Sequence, residues 1–153
     1  MTEQPPADAP TKPANQMAEP IEAVAAEVSF TVFAPSEGRV TGFYNRPRGD
    51  DPAVVHVHRM PEQPVNLNDG RFPAMLMLME SPSSAGVADT AEWEPIELAD
   101  GPGWMWQPDG GGEVHVRVDR SGTCVWLRGL HDRAEALAIA GSLVPVTPRP
   151  PMA

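Results

Sequence analysis

"GEVHVRVDRSGTCVWLRGLHDRAEALAIAGSLV", residues 112–144, decides the fold. Val114, Val116 and Val118 alternate with His115, Arg117 and Asp119, the period of a half-buried strand. Arg120-Ser121-Gly122 is hairpin punctuation, and "TCVWLRGL" reads as the returning strand. The period then changes. Asp132 followed three residues later by Glu135 is a capping-box-like helix start, since each side chain can satisfy a free backbone donor of the first turn. Leu137, Ala140, Gly141 and Val144 form one apolar stripe, with Ala136, Ile139 and Leu143 beside it. Small Ala140 and Gly141 suit close approach to a sheet, and Pro145 stops the helix. The expectation is an α+β fold: an antiparallel sheet of hairpins and meanders packed against a C-terminal α-helix.

Working outward, the same period of two recurs. "EVSFTVF" sets Val28, Phe30 and Val32 on one face, and "GRVTGFYN" is a weaker strand in which Gly42 hints at a bulge. "AVVHVHRM" opposes Val55 and Val57 to His56 and His58. "FPAMLMLMES" is apolar on both faces, which predicts a central strand covered on each side. After a Ser/Pro/Gly/Ala loop from Ser81 to about Ala91, "WEPIELAD" and "GWMWQ" add short strands. At the ends, the 19 prolines of the 153-residue chain crowd together. Residues 1–26 read as a disordered Pro/Ala-rich arm, within which "PIEAVAAEV" can form one or two helical turns with Pro20 at the first position. Residues 27–145 form one α+β domain, and 146–153 an extended Pro-rich tail.

A formal charge of −10 repels a phosphate backbone, so nucleic acid is an unfavoured partner. No apolar run reaches the length of a membrane span. The N-terminal residues lack a basic start and an apolar stretch, so the chain is expected to stay in the cytoplasm. A lone Cys124 excludes an intramolecular disulfide framework.

One part of the chain resembles a known group. Its carriers are Trp104, Trp106, Gly129, Glu135, Leu137, Ala140, Ser142 and Leu143, on a Trp-containing strand, a Gly-rich hairpin, "VHVRVDRSGTCVWLRGL" and "DRAEALAIAGSL". Residues 101–146 resemble the end of uncharacterised actinobacterial extracytoplasmic domains, found in membrane-anchored and anti-sigma-factor-associated proteins. The resemblance implies an α+β domain with a binding or sensing role and an extracytoplasmic setting. It supplies no functional residues.

Little else points to chemistry. His56 and His58 share a strand face, and His115 lies on the polar face of another strand. Were those strands neighbours, the three imidazoles could converge on zinc or copper beside Glu113 or Asp119. The valines already supply the core-facing sets, so a solvated face is the expectation. Met75, Met77 and Met79 lie on one side of their strand. Thioethers can bind Cu(I), but such a stripe more often fills a core or offers a soft surface to a partner. Trp104 and Trp106 share a face, where indoles line a ligand slot or anchor a partner, or else fill the seam between sheet and helix; the seam is the expectation. Cys124, between β-branched and aromatic residues, reads as a buried thiol without a base. "SPSSAG" lacks a nucleophile elbow, and "DGPG" and "DGGG" are acidic hairpin signals rather than phosphate loops. The reading is a non-enzymatic binding or regulatory domain without a cofactor, contacting a protein partner or apolar ligand through Met75, Met77, Met79, Trp104 and Trp106. The alternatives are a metal module on His56, His58 and His115, and a structural or assembly subunit.

Overall fold

The computed structural model describes residues 18–50, 52–59, 75–85, 90–98 and 101–149. Eight strands form one antiparallel sheet: β1 (Ala18–Glu19), β3 (Val40–Asn45), β4 (Val54–Arg59), β5 (Met77–Pro82), β6 (Glu94–Leu98), β7 (Gly101–Trp106), β8 (Val114–Arg120) and β9 (Thr123–Leu130). Their order across the sheet is β1-β3-β4-β5-β9-β8-β7-β6. Two meanders, β3-β4-β5 and β6-β7-β8-β9, thus meet at the β5–β9 seam. A second, two-stranded sheet pairs β2 (Phe33–Ala34) with β10 (Val144–Pro145). Two helices complete the α+β architecture, α1 (Ile21–Glu27) and the C-terminal α2 (Arg133–Ala140). No helix among the described residues is long and apolar enough to cross a membrane.

The alternation in the sequence fixes one dry face. Tyr44, Val55, Val57, Leu78, Met105, Val116, Val118, Val125 and Leu127 are all buried there. The helix α1 lies against β3, and α2 lies against β8 and β9. The approach of α2 is close because Ala136 and Ala140, both buried, present only methyl groups. Its start is capped as expected: the Asp132 carboxylate accepts from the Ala134 and Glu135 backbone N–H groups. The Ser121-Gly122 turn between β8 and β9 has positive φ at both positions (49° and 81°), the type I′ geometry that matches strand twist.

Between the helices, residues 31–35 cross the dry face as a strap. The Thr123 hydroxyl donates to the Thr31 carbonyl at 2.6 Å, and the Val146 N–H donates to the Val32 carbonyl. This corrects the strand expected over Val28, Phe30 and Val32. Val28 caps α1 instead, and only Phe33 and Ala34 pair as a strand. Residues 32–35 are buried in succession rather than in alternation, because the strap is enclosed on both sides. The stretch 1–26 expected as an arm runs into helix α1 near its end. Residues 1–17 lie outside the described residues, but from Ala18 onward the chain is built in, with Ile21, Val24 and Ala25 of α1 buried on the sheet. After β10 the chain continues to residue 149 without helix or strand, held where the Arg149 N–H donates to the Glu22 carbonyl; residues 150–153 of the expected tail lie outside the described residues.

Two glycines set close approaches. Gly42 makes no bulge, since β3 and β4 pair without a register shift. A Cβ there would meet the Glu19 carbonyl at 3.5 Å and the Ile21 Cα at 3.6 Å, where β1 turns into α1. Gly129 does mark a bulge: Val116 pairs with Leu127 but Val114 with Leu130, so Arg128 and Gly129 together oppose His115. Its φ is +99°, and a Cβ would collide with the Met75 carbonyl oxygen.

Glu80 is the exception on the dry face. It is fully buried between Val55 and Val125, with one carboxyl oxygen accepting from the Phe33 N–H of the strap at 2.6 Å. Its second oxygen has no hydrogen-bond partner among the described residues. Burial drives its pKa well above the ordinary carboxyl range, opposed by the Phe33 hydrogen bond. The folded state therefore holds a proton that the unfolded chain releases above its pKa of about 4.3. Stability from this group is complete below that value and is lost as pH rises toward the raised folded pKa, at up to about 1.4 kcal/mol per pH unit.

Two outcomes follow. Urea midpoints between pH 5 and 8 should fall with pH more steeply in the parent than in Glu80→Gln, which keeps the acceptor for Phe33 but cannot ionise; parallel slopes would contradict the buried acid. Gly129→Ala should cost about 3 kcal/mol or more in the same assay, because backbone strain and a backbone clash coincide.

The open face of the sheet as candidate functional site

The odd-numbered positions of β5 and β8 and the even-numbered ones of β4 and β7, with those of β9 before the Gly129 bulge, point away from the helices. Cross-strand pairing arranges them in rows. One row runs Phe43, His56, Met79, Trp126, Arg117 and Trp104 across six strands. A second runs Thr41, His58, Met77 and Arg128. His115, opposite Trp106, adjoins the second row at the Gly129 bulge. Most of these side chains are neither buried nor fully exposed; Trp106 is the most open of the large apolar ones, at 42%.

The aromatic half centres on His115. The Trp126 indole N–H donates to His115 Nδ1 at 3.0 Å, so that nitrogen must carry a lone pair and the proton sits on Nε2. Nε2 lies 3.5 Å from Glu113 Oε1, which also accepts from Arg128 Nε at 2.8 Å. Arg128 in turn stacks over the Trp126 ring, 5.1 Å from its centroid. Trp93, just before β6, approaches both Trp126 (6.2 Å between centroids) and His115 (5.9 Å), while Trp106 reaches His115 at 5.2 Å. Next to them Arg117 forks onto Asp119 and lies over Trp104, 5.5 Å from its centroid. Each guanidinium is thus shared between a carboxylate and an indole, which leaves the patch charge-balanced.

Burial lowers the His115 pKa; Glu113 opposes that shift and Arg128 reinforces it. Burial lowers His56 as well, with the His58 charge adding to it, and burial alone lowers His58. All three imidazoles are accordingly neutral at pH 7. His56 Nε2 meets the Asn45 amide at 3.1 Å, and the His58 ring packs on Phe43 at 5.1 Å.

The expected site residues divide. Met77 and Met79 are half-buried on the open face beside His58 and His56, so β5 is central, with the 31–35 strap over its dry side and no helix among the described residues over the other. Its dry side is filled by Leu76, Leu78 and Glu80. Met75 precedes the strand and contributes its carbonyl to the Gly129 contact. Trp104 and Trp106 do not fill the seam beneath α2, which small residues close instead; both lie on the opposite face. His56 and His58 adjoin, with ring centroids 6.5 Å apart. His115 is on β8, with β5 and β9 intervening, roughly 14 Å from β4 at ordinary strand spacing. The three therefore do not converge. Among the described residues no group of three or more His, Cys, Asp or Glu side chains is placed to hold a metal ion. Cys124 is buried.

The site residues read from the sequence left out Phe43, Trp93, Trp126, Arg117 and Arg128. Parity within "VHVRVD" and "TCVWLRG" already put Arg117, Trp126 and Arg128 on one side each. What it could not show was that the two sides coincide.

Compared with protein-family models, curated proteins and solved structures, the chain matches none.

Protonation of His115 would put a second N–H against the Trp126 indole N–H. The indole N–H resonance of Trp126 should therefore shift, and exchange faster with solvent, through a transition centred below the usual histidine pKa of about 6.5. His115→Ala should abolish the transition; an indole signal unchanged down to pH 4.5 would contradict the tautomer assigned to the pair.

Proposed function

We propose that this chain is a non-enzymatic binding domain that contacts a protein partner through the open face of its sheet. One observation carries the reading: the two helices and the strap cover one face, while the other presents Met77, Met79, Trp104, Trp106 and Trp126 with no helix among the described residues over them. Indoles and thioethers bury large area at low entropic cost, and Met adapts to partners that vary in shape. Arginines stacked on Trp104 and Trp126 match the enrichment of Trp and Arg where binding energy concentrates. The patch spans roughly 20 Å from β4 to β7, the scale of a modest, reversible protein contact rather than a small-ligand pocket. The resemblance of residues 101–146 to uncharacterised extracytoplasmic domains, which implies a binding or sensing role, agrees with this reading.

Met77→Ala and Trp104→Ala, made separately, remove contact area without reaching the dry core. Each should weaken partner capture about 30-fold or more, the loss of a 2 kcal/mol anchor, with an unchanged fold by circular dichroism. A set of captured proteins identical to that of the parent would remove this face from consideration. Loss of a small apolar molecule instead of a protein would reassign the occupant.

A further inference from the structure

The β4–β5 end of the open face holds a second arrangement, independent of whether a partner docks. The Arg59 N–H donates to the Leu76 carbonyl, so positions 59 and 76 form a hydrogen-bonded pair of the ladder. Pair types alternate along an antiparallel ladder. His58 with Met77 and His56 with Met79 are therefore the non-hydrogen-bonded pairs, whose Cα atoms approach to about 4.5 Å and whose side chains are closest. Along each strand the two like residues are i and i+2, on one face. Two imidazoles and two thioethers thus occupy the corners of a rectangle roughly 5 by 7 Å at the backbone, and all four side chains are half-buried.

We infer that His56, His58, Met77 and Met79 form a binding site for a soft monovalent metal ion, Cu(I) in biological terms. The donor set makes the choice. Thioethers favour Cu(I) and are poor ligands for zinc, magnesium or calcium, while imidazole serves copper equally well. The quartet includes no carboxylate and no thiolate, so it remains uncharged, and a single positive charge costs less to place there than a double one. Both imidazoles carry the lone pair that coordination needs, because burial holds them neutral at pH 7. Ring centroids 6.5 Å apart are near the reach of two imidazoles on one ion at about 2.0 Å per bond, so small side-chain rotations close the site. Asn45 supplies an outer partner. Its Nδ2 faces His56 Nε2 at 3.1 Å; exchanging the amide nitrogen and oxygen by a half-turn lets the oxygen accept from Nε2–H and leaves Nδ1 free, the arrangement that orients ligating histidines.

Untagged full-length protein, reduced and anaerobic, should take up one equivalent of Cu(I) in competition with a chromogenic Cu(I) chelator. The double variant Met77→Leu/Met79→Leu, which conserves volume, should weaken binding at least 100-fold while staying folded, and His56→Gln or His58→Gln at least 10-fold. Cys124→Ala and Trp104→Ala should bind as the parent does; the latter separates this site from the partner face. Uptake below a tenth of an equivalent, a double leucine variant within threefold of the parent, or loss of binding in Cys124→Ala would overturn the assignment. Should the leucine variant not fold, Ag(I) titrated into parent protein with labelled methionine methyls gives the answer. Of the eight methionines, the signals of Met77 and Met79 should move together and saturate at one equivalent. Uniform shifts, or none, would again overturn it.

Discussion

An eight-stranded sheet has two faces, and the described chain brings two helices of seven and eight residues to only one of them. From that mismatch the composition of each strand follows. Positions on the dry face are mostly Val and Leu, with Tyr44, Met105 and the strap-binding Glu80 among them, because dry packing leaves few partners for a polar atom. Most positions on the other face live half in water, the buried Ser81 and Cys124 excepted. They are His, Met, Trp and Arg, residues that combine an apolar body with a polar or polarisable end. The same choice that makes the open face tolerable to solvent makes it able to bind, since such side chains gain from being covered without requiring it.

The strap over the dry face obeys the opposite logic. Helix α1 and helix α2 stand apart, over β3 and over β8–β9, and residues 31–35 close the span between them. An irregular segment laid on an apolar sheet brings backbone donors that no ladder satisfies. Glu80 and Thr123 answer this from below, one accepting from Phe33 N–H and the other donating to the Thr31 carbonyl. A carboxyl is a costly acceptor in such a place, and its burial is tolerable because the group remains protonated. Fold and titration are one fact here: the strap is seated by a side chain that must stay neutral to remain beneath it.

Alternation made much of this legible. Residues 112–144 gave β8, β9 and α2 with the Asp132 cap in place, and the valine parity of β4 and β8 identified the dry face. The failures share a cause. The periodicity of one strand says which residues share a side but not which neighbour lies beyond it. Hence "MLMLM" looked covered on both sides when the strap covers only one, and His56, His58 and His115 could be imagined together although two strands separate them. The strap defeated the pattern differently: "TVFAP" is buried by enclosure rather than by pleat, so its apolar run imitated a strand. Trp104 was placed in the helix seam because large apolar residues usually are, yet Ala136 and Ala140 closed that seam with methyl groups and left no room for an indole.

A half-apolar sheet face invites uncontrolled association, and the rest of the structure limits it. At one edge β6 carries Glu94, Pro95 and Glu97, a charged strand with a residue that cannot donate. At the other, β1 is only two residues long. On the face itself, Arg117 and Arg128 lie over two of the indoles and are neutralised by Asp119 and Glu113. The remaining negative charge of the chain repels further copies at long range. These devices protect β6 to β9 better than β3 to β5, where Phe43, His56, His58, Met77 and Met79 have no guanidinium stacked above them among the described contacts. Neutral imidazoles and thioethers are the least water-demanding polar groups that could stand there. Their selection over lysine or glutamate, which would guard the surface more cheaply, is itself the argument that something is meant to reach this end of the sheet.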